Sequence, residues 1–165
     1  MTSAAQFIAD AMLGKLTKWL RVMGIDVLYD PDAPDVQLLQ CAERGGRILM
    51  TRNHRLMGRR GSAQRFYVES DYYHEQVRQV VQAFHLGDDI RVFSRCLQCN
   101  VLLEAIAKDL VEERVPPYVY ASQTIFKQCA ICNRLYWGGT HRDNMLRQLQ
   151  AMLSDLLKVN SETFC

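Results

Sequence analysis

The chain has 165 residues, of which 48% are hydrophobic and 23% charged, and its formal net charge is +2. This length predicts one ordinary domain, or one domain with a small appendage, and the composition excludes a disordered, collagen-like or low-complexity chain. The apolar runs are far shorter than the roughly 20 residues of a membrane span, and the amino terminus lacks the pattern of a signal peptide, so we expect a soluble, cytoplasmic protein with no membrane partner.

Short strands and amphipathic helices alternate along the first ninety residues. Strands are predicted at 7–9, 25–29, 47–51 and 66–68, and helices at 10–23, from Asp35 to Gly45 and Gly46, and at 72–84. Such alternation predicts a parallel sheet with helices on both faces. The positions expected to face inward are Leu13, Leu16, Leu20, Met23, Val36, Leu39, Ala42, Val77, Val80, Val81 and Phe84.

Four of the six cysteines form two CxxC pairs, which is a typical zinc spacing. The pairs are Cys96 with Cys99 and Cys129 with Cys132. Two such pairs supply four thiolates to one closed, structural Zn²⁺ site. Asn100 and Asn133 follow the pairs, and Asn tolerates the positive φ that such turns often need. A redox CxxC is the alternative, but it would not account for the duplicate motif.

The second half of the chain is predicted to be the zinc-binding segment and a final helix. Pro116 and Pro117 suggest an extended stretch between the two cysteine pairs, and residues 143–157 have helical periodicity with Met145, Leu149, Leu153 and Leu156 inward. We therefore expect an α/β domain at 1–90, a zinc ribbon at 91–142, and a C-terminal helix and tail at 143–165. Cys41 is interpreted as a small buried residue and Cys165 as a bystander in the tail.

Polar side chains follow each predicted strand, where ligands bind in open α/β sheets. These residues are Asp10, Asp30, Asn53 and Asp71, and Asp35 opens the helix after the second strand. Taken singly, each acid is more often a helix cap or a loop residue. Together they suggest a Mg²⁺ or Mn²⁺ site for phosphodiester hydrolysis, because hard oxygen ligands hold the ions that activate water.

An arginine-rich segment lies beside these acids. Between residues 44 and 65 there are seven arginines and no Asp or Glu. Such a block of like charge is either a solvated surface or a field that attracts phosphates.

A series of motifs runs in order through roughly residues 7–145. They are FIADAMLGKLTKWLRVMGIDVLYDPD, PDVQLLQCAERGGRILMTRN, CLQCN, RVPPYVY, CAICN and YWGGTH. Together they resemble the PIN-like RNase domain with a fused zinc ribbon found at the C terminus of Mut-seven-type exonucleases and as free-standing prokaryotic proteins. The resemblance implies a PIN-like α/β fold, Asp10 and Asp35 as metal-binding acids, and the four paired cysteines as zinc ligands.

The chain departs from the pattern of this family at one position. Where the family usually ends a strand in Thr-Arg-Asp, this sequence has Thr51, Arg52 and Asn53. An amide oxygen is a neutral ligand, so a tightly held second ion is not expected. The helix acid between the first and last acids of PIN nucleases also lacks a clear counterpart, and the substitutes to test are Asp30, Asp32 and Asp71.

We therefore expect a metal-dependent ribonuclease that acts on single-stranded RNA. Its catalytic residues would be Asp10, Asp35 and Asn53, with Asp30 or Asp71. The residues expected to bind RNA are Lys15, Lys18, Arg52, Arg55, Arg59, Arg60 and His141. The alternatives are a catalytically weak RNA-binding or adaptor module, and a protein-interaction module that works through the ribbon.

Several of these side chains also have plainer interpretations. Trp19 is expected to pack in the core or at its rim, with base stacking as the alternative. Lys15, Lys18 and Arg21 either extend a phosphate-binding face or form a solvated one. The aromatic pair Tyr136 and Trp137, with His141, either packs the ribbon against the α/β domain or contacts single-stranded RNA.

Overall fold

The computed structural model of the chain describes residues 5–154 and 156, and its first sheet has four parallel strands. The strands are β1 (Phe7–Ala9), β2 (Val27–Tyr29), β3 (Ile48–Thr51) and β4 (Arg65–Tyr67), in the order β2-β1-β3-β4. They lie within two residues of their predicted positions. Because the chain moves from β1 to β2 on one side and then to β3 on the other, the strand order reverses between β1 and β3.

Helices cover both faces of this sheet, as predicted. Their bounds are α1 (Gly14–Val22), α2 (Asp35–Gly45), α3 (His54–Met57) and α4 (Tyr73–Ala83), and a short 3-10 turn, Ala11–Leu13, precedes α1. Side chains alternate across a strand, so Phe7 and Met50 pack toward α1 and α4, whereas Ile8 and Leu49 pack toward α2 and α3. Trp19 is buried in the larger of these two cores.

A C-terminal helix, α6 (Thr140–Leu153), completes the larger core. Its residues Met145, Leu149 and Leu153 are buried in the same apolar cluster as Val80 of α4. The helix begins three residues earlier and ends four residues earlier than predicted. Leu156 packs against this core as expected, and position 157 lies outside the described residues.

The second sheet is antiparallel and lies in the chain between α4 and α6. Its strands are β5 (Glu104–Ile106), β6 (Phe126–Gln128) and β7 (Leu135–Trp137), in that order. Between β5 and β6, a 3-10 helix and α5 (Pro117–Ser122) enclose a small core. The predicted extended stretch is wrong at Pro117, which opens α5, because proline is tolerated in the first turn of a helix.

Two predicted core positions of α2 are wrong. Val36 is 52% exposed and Cys41 is also exposed, whereas Leu38, Leu39 and Ala42 are buried. At 3.6 residues per turn, Val36 and Cys41 each lie roughly 100° around the helix from the centre of the buried stripe. Cys165 lies outside the described residues. No helix in the described part of the chain is both long and apolar enough to cross a membrane.

Candidate active site and cysteine cluster

Asp10 lies directly after β1, an inner strand, at the edge of the parallel sheet formed by the carboxyl ends of its strands. Its side chain is buried, with 5% relative exposure. Oδ1 accepts a hydrogen bond from the Met12 N–H at 2.9 Å, which caps the turn before α1. Oδ2 accepts from the Thr51 hydroxyl and from the Arg52 N–H at 3.2 Å. Three donors from two strand ends therefore fix this carboxylate where the strand order reverses.

Asn53 belongs to the same network but directs its oxygen elsewhere. Its N–H donates to Thr51 Oγ1 at 2.9 Å, so it supports the residue that holds Asp10. Its own Oδ1 accepts from the Arg55 N–H at 3.0 Å and caps α3. The Asn53 backbone is thus linked to Asp10 through Thr51, whereas the Asn53 side chain is engaged by its own helix.

The other three acids follow the strands at the same edge, and each has contacts of its own. Asp30 Oδ1 accepts from the Asp32 N–H in the loop after β2, at 3.0 Å. Asp35 opens α2 and lies 3.8 Å from Arg59, and Asp71 lies 2.6 Å from Arg52. Within residues 5–154 and 156, no three carboxylate or histidine side chains approach one another closely enough to share an ion.

The arginine segment divides into structural and free residues. The Arg52 guanidinium donates to the Ser70 carbonyl as well as pairing with Asp71. Arg65 donates weakly to the Met57 and Gly61 carbonyls. Arg55 and Arg60 are exposed, and no acidic partner lies within ion-pair distance of either among the residues described. Of the other predicted RNA-binding residues, Lys15, Lys18 and His141 are exposed.

The second centre is the cluster of four cysteines. The sulfur atoms of Cys96, Cys99, Cys129 and Cys132 all lie within 4.8 Å of one another. Cys96 and Cys132 Sγ are 3.7 Å apart, and tetrahedral Zn–S bonds of about 2.3 Å require sulfur atoms about 3.8 Å apart. Asn100 and Asn133 have φ values of 65° and 56°, as predicted. The cluster therefore fits a metal such as zinc.

Tyr136 supports this cluster, a role that sequence reasoning missed. Its hydroxyl donates to Cys96 Sγ at 3.2 Å and accepts from the Leu97 N–H at 3.1 Å. Burial raises the pKa of the Cys96 thiol, but hydrogen bonds from Tyr136 and from the Cys99 and Gln98 backbone outweigh it and lower that pKa to about 6. A thiolate is therefore favoured at Cys96 near neutral pH.

Arg21 attaches the first cysteine turn to the α/β domain. It was expected on a solvated or phosphate-binding face, and this is wrong, because its side chain is 5% exposed. The guanidinium donates to the Val27 carbonyl at 3.1 and 2.8 Å and to the Leu97 and Gln98 carbonyls at 2.8 and 3.0 Å. Burial lowers the pKa of Arg21, whereas the nearby Cys96 and Cys99 raise it.

A second link joins the same turn to the start of β2. Asn100 Oδ1 accepts from the Val27 N–H at 3.1 Å, and its Nδ2 donates to Asp26 Oδ1 at 2.8 Å. Asp26 also pairs with Arg47 at 2.6 Å and with Arg95 at 3.7 Å. Burial raises the pKa of Asp26, but the hydrogen bonds from Arg47 and Asn100 bring that pKa below its ordinary value. The residues at 96–100, which we call the first knuckle, are thus held by the parallel-sheet domain.

The geometry defines a parallel α/β domain with a fixed carboxylate at its switch point and an attached four-cysteine metal site. The chain belongs to the Mut7-C RNAse domain family, whose sequence profile matches residues 5–149. This confirms the resemblance seen in the motifs, and it indicates ribonuclease activity with RNA as the substrate. No curated protein and no solved structure shows significant similarity to the chain.

Proposed function

We propose that this chain is a divalent-metal-dependent ribonuclease that hydrolyses single-stranded RNA at the sheet edge around Asp10. The observation that carries the proposal is the Asp10 carboxylate, which is buried and held by three donors at the edge where ligands bind in open α/β sheets. A purely structural cap would need only the Met12 N–H. The additional hold by Thr51 and Arg52 gives the carboxylate a single orientation.

The carboxylate oxygens at this edge fit one Mg²⁺ or Mn²⁺ ion better than a pair of ions. A carboxylate offers about four lone-pair positions, and three of those on Asp10 are occupied by donors. Mg²⁺ is commonly held by one or two carboxylates and keeps several waters, so Asp10 with Asp35 suffices as its protein ligands. Asp35 pairs with Arg59 at a solvent-exposed position, which is a weak interaction.

Each part of the chain then has a defined role. The ion, when bound, lowers the pKa of a water and neutralises the developing charge on the leaving oxygen. Thr51 and the Arg52 N–H keep Asp10 oriented, while Arg55 and Arg60 bind phosphates without reading sequence. A zinc ion at the four cysteines has no open position and is structural.

A second candidate function is an RNA-binding module with little or no turnover. It is favoured by Asn53, whose oxygen caps α3, and by the lack of a third acid near Asp10 within the described residues. Both functions require RNA binding, and only the first requires Asp10 to act in cleavage.

Cleavage of a labelled single-stranded RNA, with and without added Mg²⁺ or Mn²⁺, tests the proposal. We expect metal-dependent cleavage that falls at least about a hundredfold in Asp10→Asn, because a metal ligand and its charge are lost. Asp109→Asn, which changes an exposed acid in the 3-10 helix between β5 and β6, is the matched control. Equal cleavage by Asp10→Asn and by the control would refute the assignment, and binding without cleavage by the parent would favour the second candidate.

A further inference from the structure

His54 and Tyr67 form a pre-arranged aromatic pair next to the candidate site. Their rings are nearly parallel, with centroids 4.4 Å apart and an angle of 22° between planes. A hydrogen bond of 2.9 Å joins His54 Nε2 and the Tyr67 hydroxyl. His54 is exposed, and Tyr67 is half-buried. One face of the imidazole is therefore covered by Tyr67, and the side chain as a whole remains open to solvent.

The fold ties this pair to the carboxylate at Asp10. Tyr67 is the last residue of β4 and is in register with Thr51, whose hydroxyl donates to Asp10. His54 follows Asn53 and begins α3. Since β4 is two strands away from β1, the two strand ends are about 10 Å apart. A single RNA strand that passes Asp10 thus has the pair within reach of a neighbouring nucleotide.

We propose that the His54–Tyr67 pair is a stacking site for an unpaired nucleobase of the RNA. This inference rests on the proposed function and adds the part of the substrate that the pair recognises. An unpaired base stacks on the open face of His54 and extends the two rings to a column of three. The hydrogen bond between the rings holds His54 in place before the base arrives, which reduces the ordering cost of binding. Arg55, the next residue, is free to bind the adjacent phosphate.

Two further tyrosines near this edge, Tyr73 and Tyr72, are less suited to the task. The Tyr73 ring is parallel to Trp19 at 6.2 Å, and Lys15 Nζ lies 5.9 Å from its centroid. Protein groups therefore already lie over the Tyr73 ring. Tyr72 is exposed, but its only ring neighbour among the described aromatics, His74, is tilted by 33°. In the His54–Tyr67 pair, by contrast, Tyr67 covers one face of the imidazole and fixes its position, and Arg55 is exposed beside it.

The test compares two ligands of equal length and charge: a short oligouridylate, and the same sugar-phosphate chain without bases. Binding is measured on the zinc-loaded chain without added Mg²⁺ or Mn²⁺. We expect the parent to prefer the ligand with bases, and His54→Ala to reduce this preference about tenfold, the effect of one stacked base. His54→Phe should keep the preference, because it retains a stacking ring. Tyr118→Ala, which removes an exposed tyrosine from α5, should also leave it unchanged.

The outcomes separate this inference from the proposed function. If His54→Ala and Tyr118→Ala show the same preference for bases as the parent, the stacking site is refuted, whereas the cleavage assay on Asp10→Asn still decides the catalytic proposal. If His54→Ala weakens both ligands equally, His54 binds phosphate and the inference is also wrong. Loss of the preference in His54→Ala with its recovery in His54→Phe supports the stacking site even when no cleavage occurs.

Discussion

Replacing Arg21 by methionine should separate the first knuckle from the α/β domain. Methionine keeps an unbranched apolar stem in place of that of arginine, so the packing of α1 is largely preserved. The change removes the four hydrogen bonds that join Arg21 to the Val27, Leu97 and Gln98 carbonyls. Two of these carbonyls belong to the first knuckle. The perturbation therefore acts on the attachment of the cysteine site rather than on its thiolates.

The size of the effect follows from the three carbonyls. An unsatisfied buried polar group costs about 1–3 kcal/mol, and removing one partner of a buried charged interaction typically costs about 3–5 kcal/mol. Because water reaches part of the exposed turn, we expect a loss of about 3–4 kcal/mol in the free energy of unfolding. For a chain of this size this lowers Tm by roughly 10 °C. The Tm of Arg21→Lys should lie between that of the parent and that of Arg21→Met, since an ammonium cannot reach all three carbonyls.

Thermal unfolding and competition with a zinc chelator measure this prediction. Arg44→Met, at an exposed position of α2, is the matched control, because it removes the same charge without a buried partner. We expect Arg21→Met to lose zinc to the chelator at lower concentration than the control. If the two variants unfold at the same temperature and retain zinc equally, Arg21 does not attach the knuckle and the reasoning is wrong.

Four further predictions concern the metal, the RNA and pH. Cys99→Ser should release zinc, whose binding contributes on the order of 10 kcal/mol to small zinc modules, and should make the second sheet sensitive to protease. Arg55→Ala combined with Arg60→Ala should reduce the slope of log affinity against log salt by about one to two. Asp26→Asn should destabilise the chain at pH 7, and the difference from the parent should shrink below about pH 4. The reason is that a pKa held below its ordinary value of 3.8 gives stability that is present above that value and is lost as pH falls through the folded-state pKa. Asn53→Asp should tighten Mg²⁺ or Mn²⁺ binding and increase cleavage, because Asp still caps α3 and adds a charge near Asp10.

Each of these predictions has a control and a contrary result. Cys41→Ser, at the exposed cysteine of α2, should retain zinc, and equal zinc content in both serine variants would exclude the four-cysteine site. A salt slope equal to that of the parent would assign Arg55 and Arg60 to the solvated surface. A pH-independent effect of Asp26→Asn would mean that charge is not what Asp26 contributes. Calorimetry that shows no divalent binding by the parent or by Asn53→Asp would refute the catalytic metal.

The parallel sheet was predictable because its signals are local. The strands around Phe7 and Leu49 are short apolar runs, buried on both faces, and glycines end the helices that follow. The exact face of α2 was not predictable, because Val36 and Leu38 are equally apolar and only the angle of the helix on the sheet decides between them. The same holds at Pro117, where the first turn of a helix and an extended stretch are both compatible with proline.

Site residues whose partners are distant in the sequence were also not predictable. Asp10 and the CxxC pairs follow from position and spacing along the chain. The role of Arg21 does not follow in this way, because its carbonyl partners in the first knuckle are 76 and 77 residues away. From the sequence alone, Arg21 resembles the exposed Lys18 of the same helix. Tyr136 is similar, because its partner Cys96 is 40 residues away. The hydrogen bond from Thr51 to Asp10 could be predicted only by knowing that β1 and β3 are neighbours, and periodicity does not give the strand order.

The position of α6 in the chain has a consequence for how the protein is made. The helix packs beside α4 in the core of the parallel-sheet domain, yet the whole second sheet precedes it in the sequence. During synthesis, the apolar faces of α4 and its neighbours emerge from the ribosome long before Met145 and Leu149 arrive to cover them. The four cysteines, by contrast, have all been made by residue 132. The four cysteines can therefore come together in a nascent chain before α6 covers the main core.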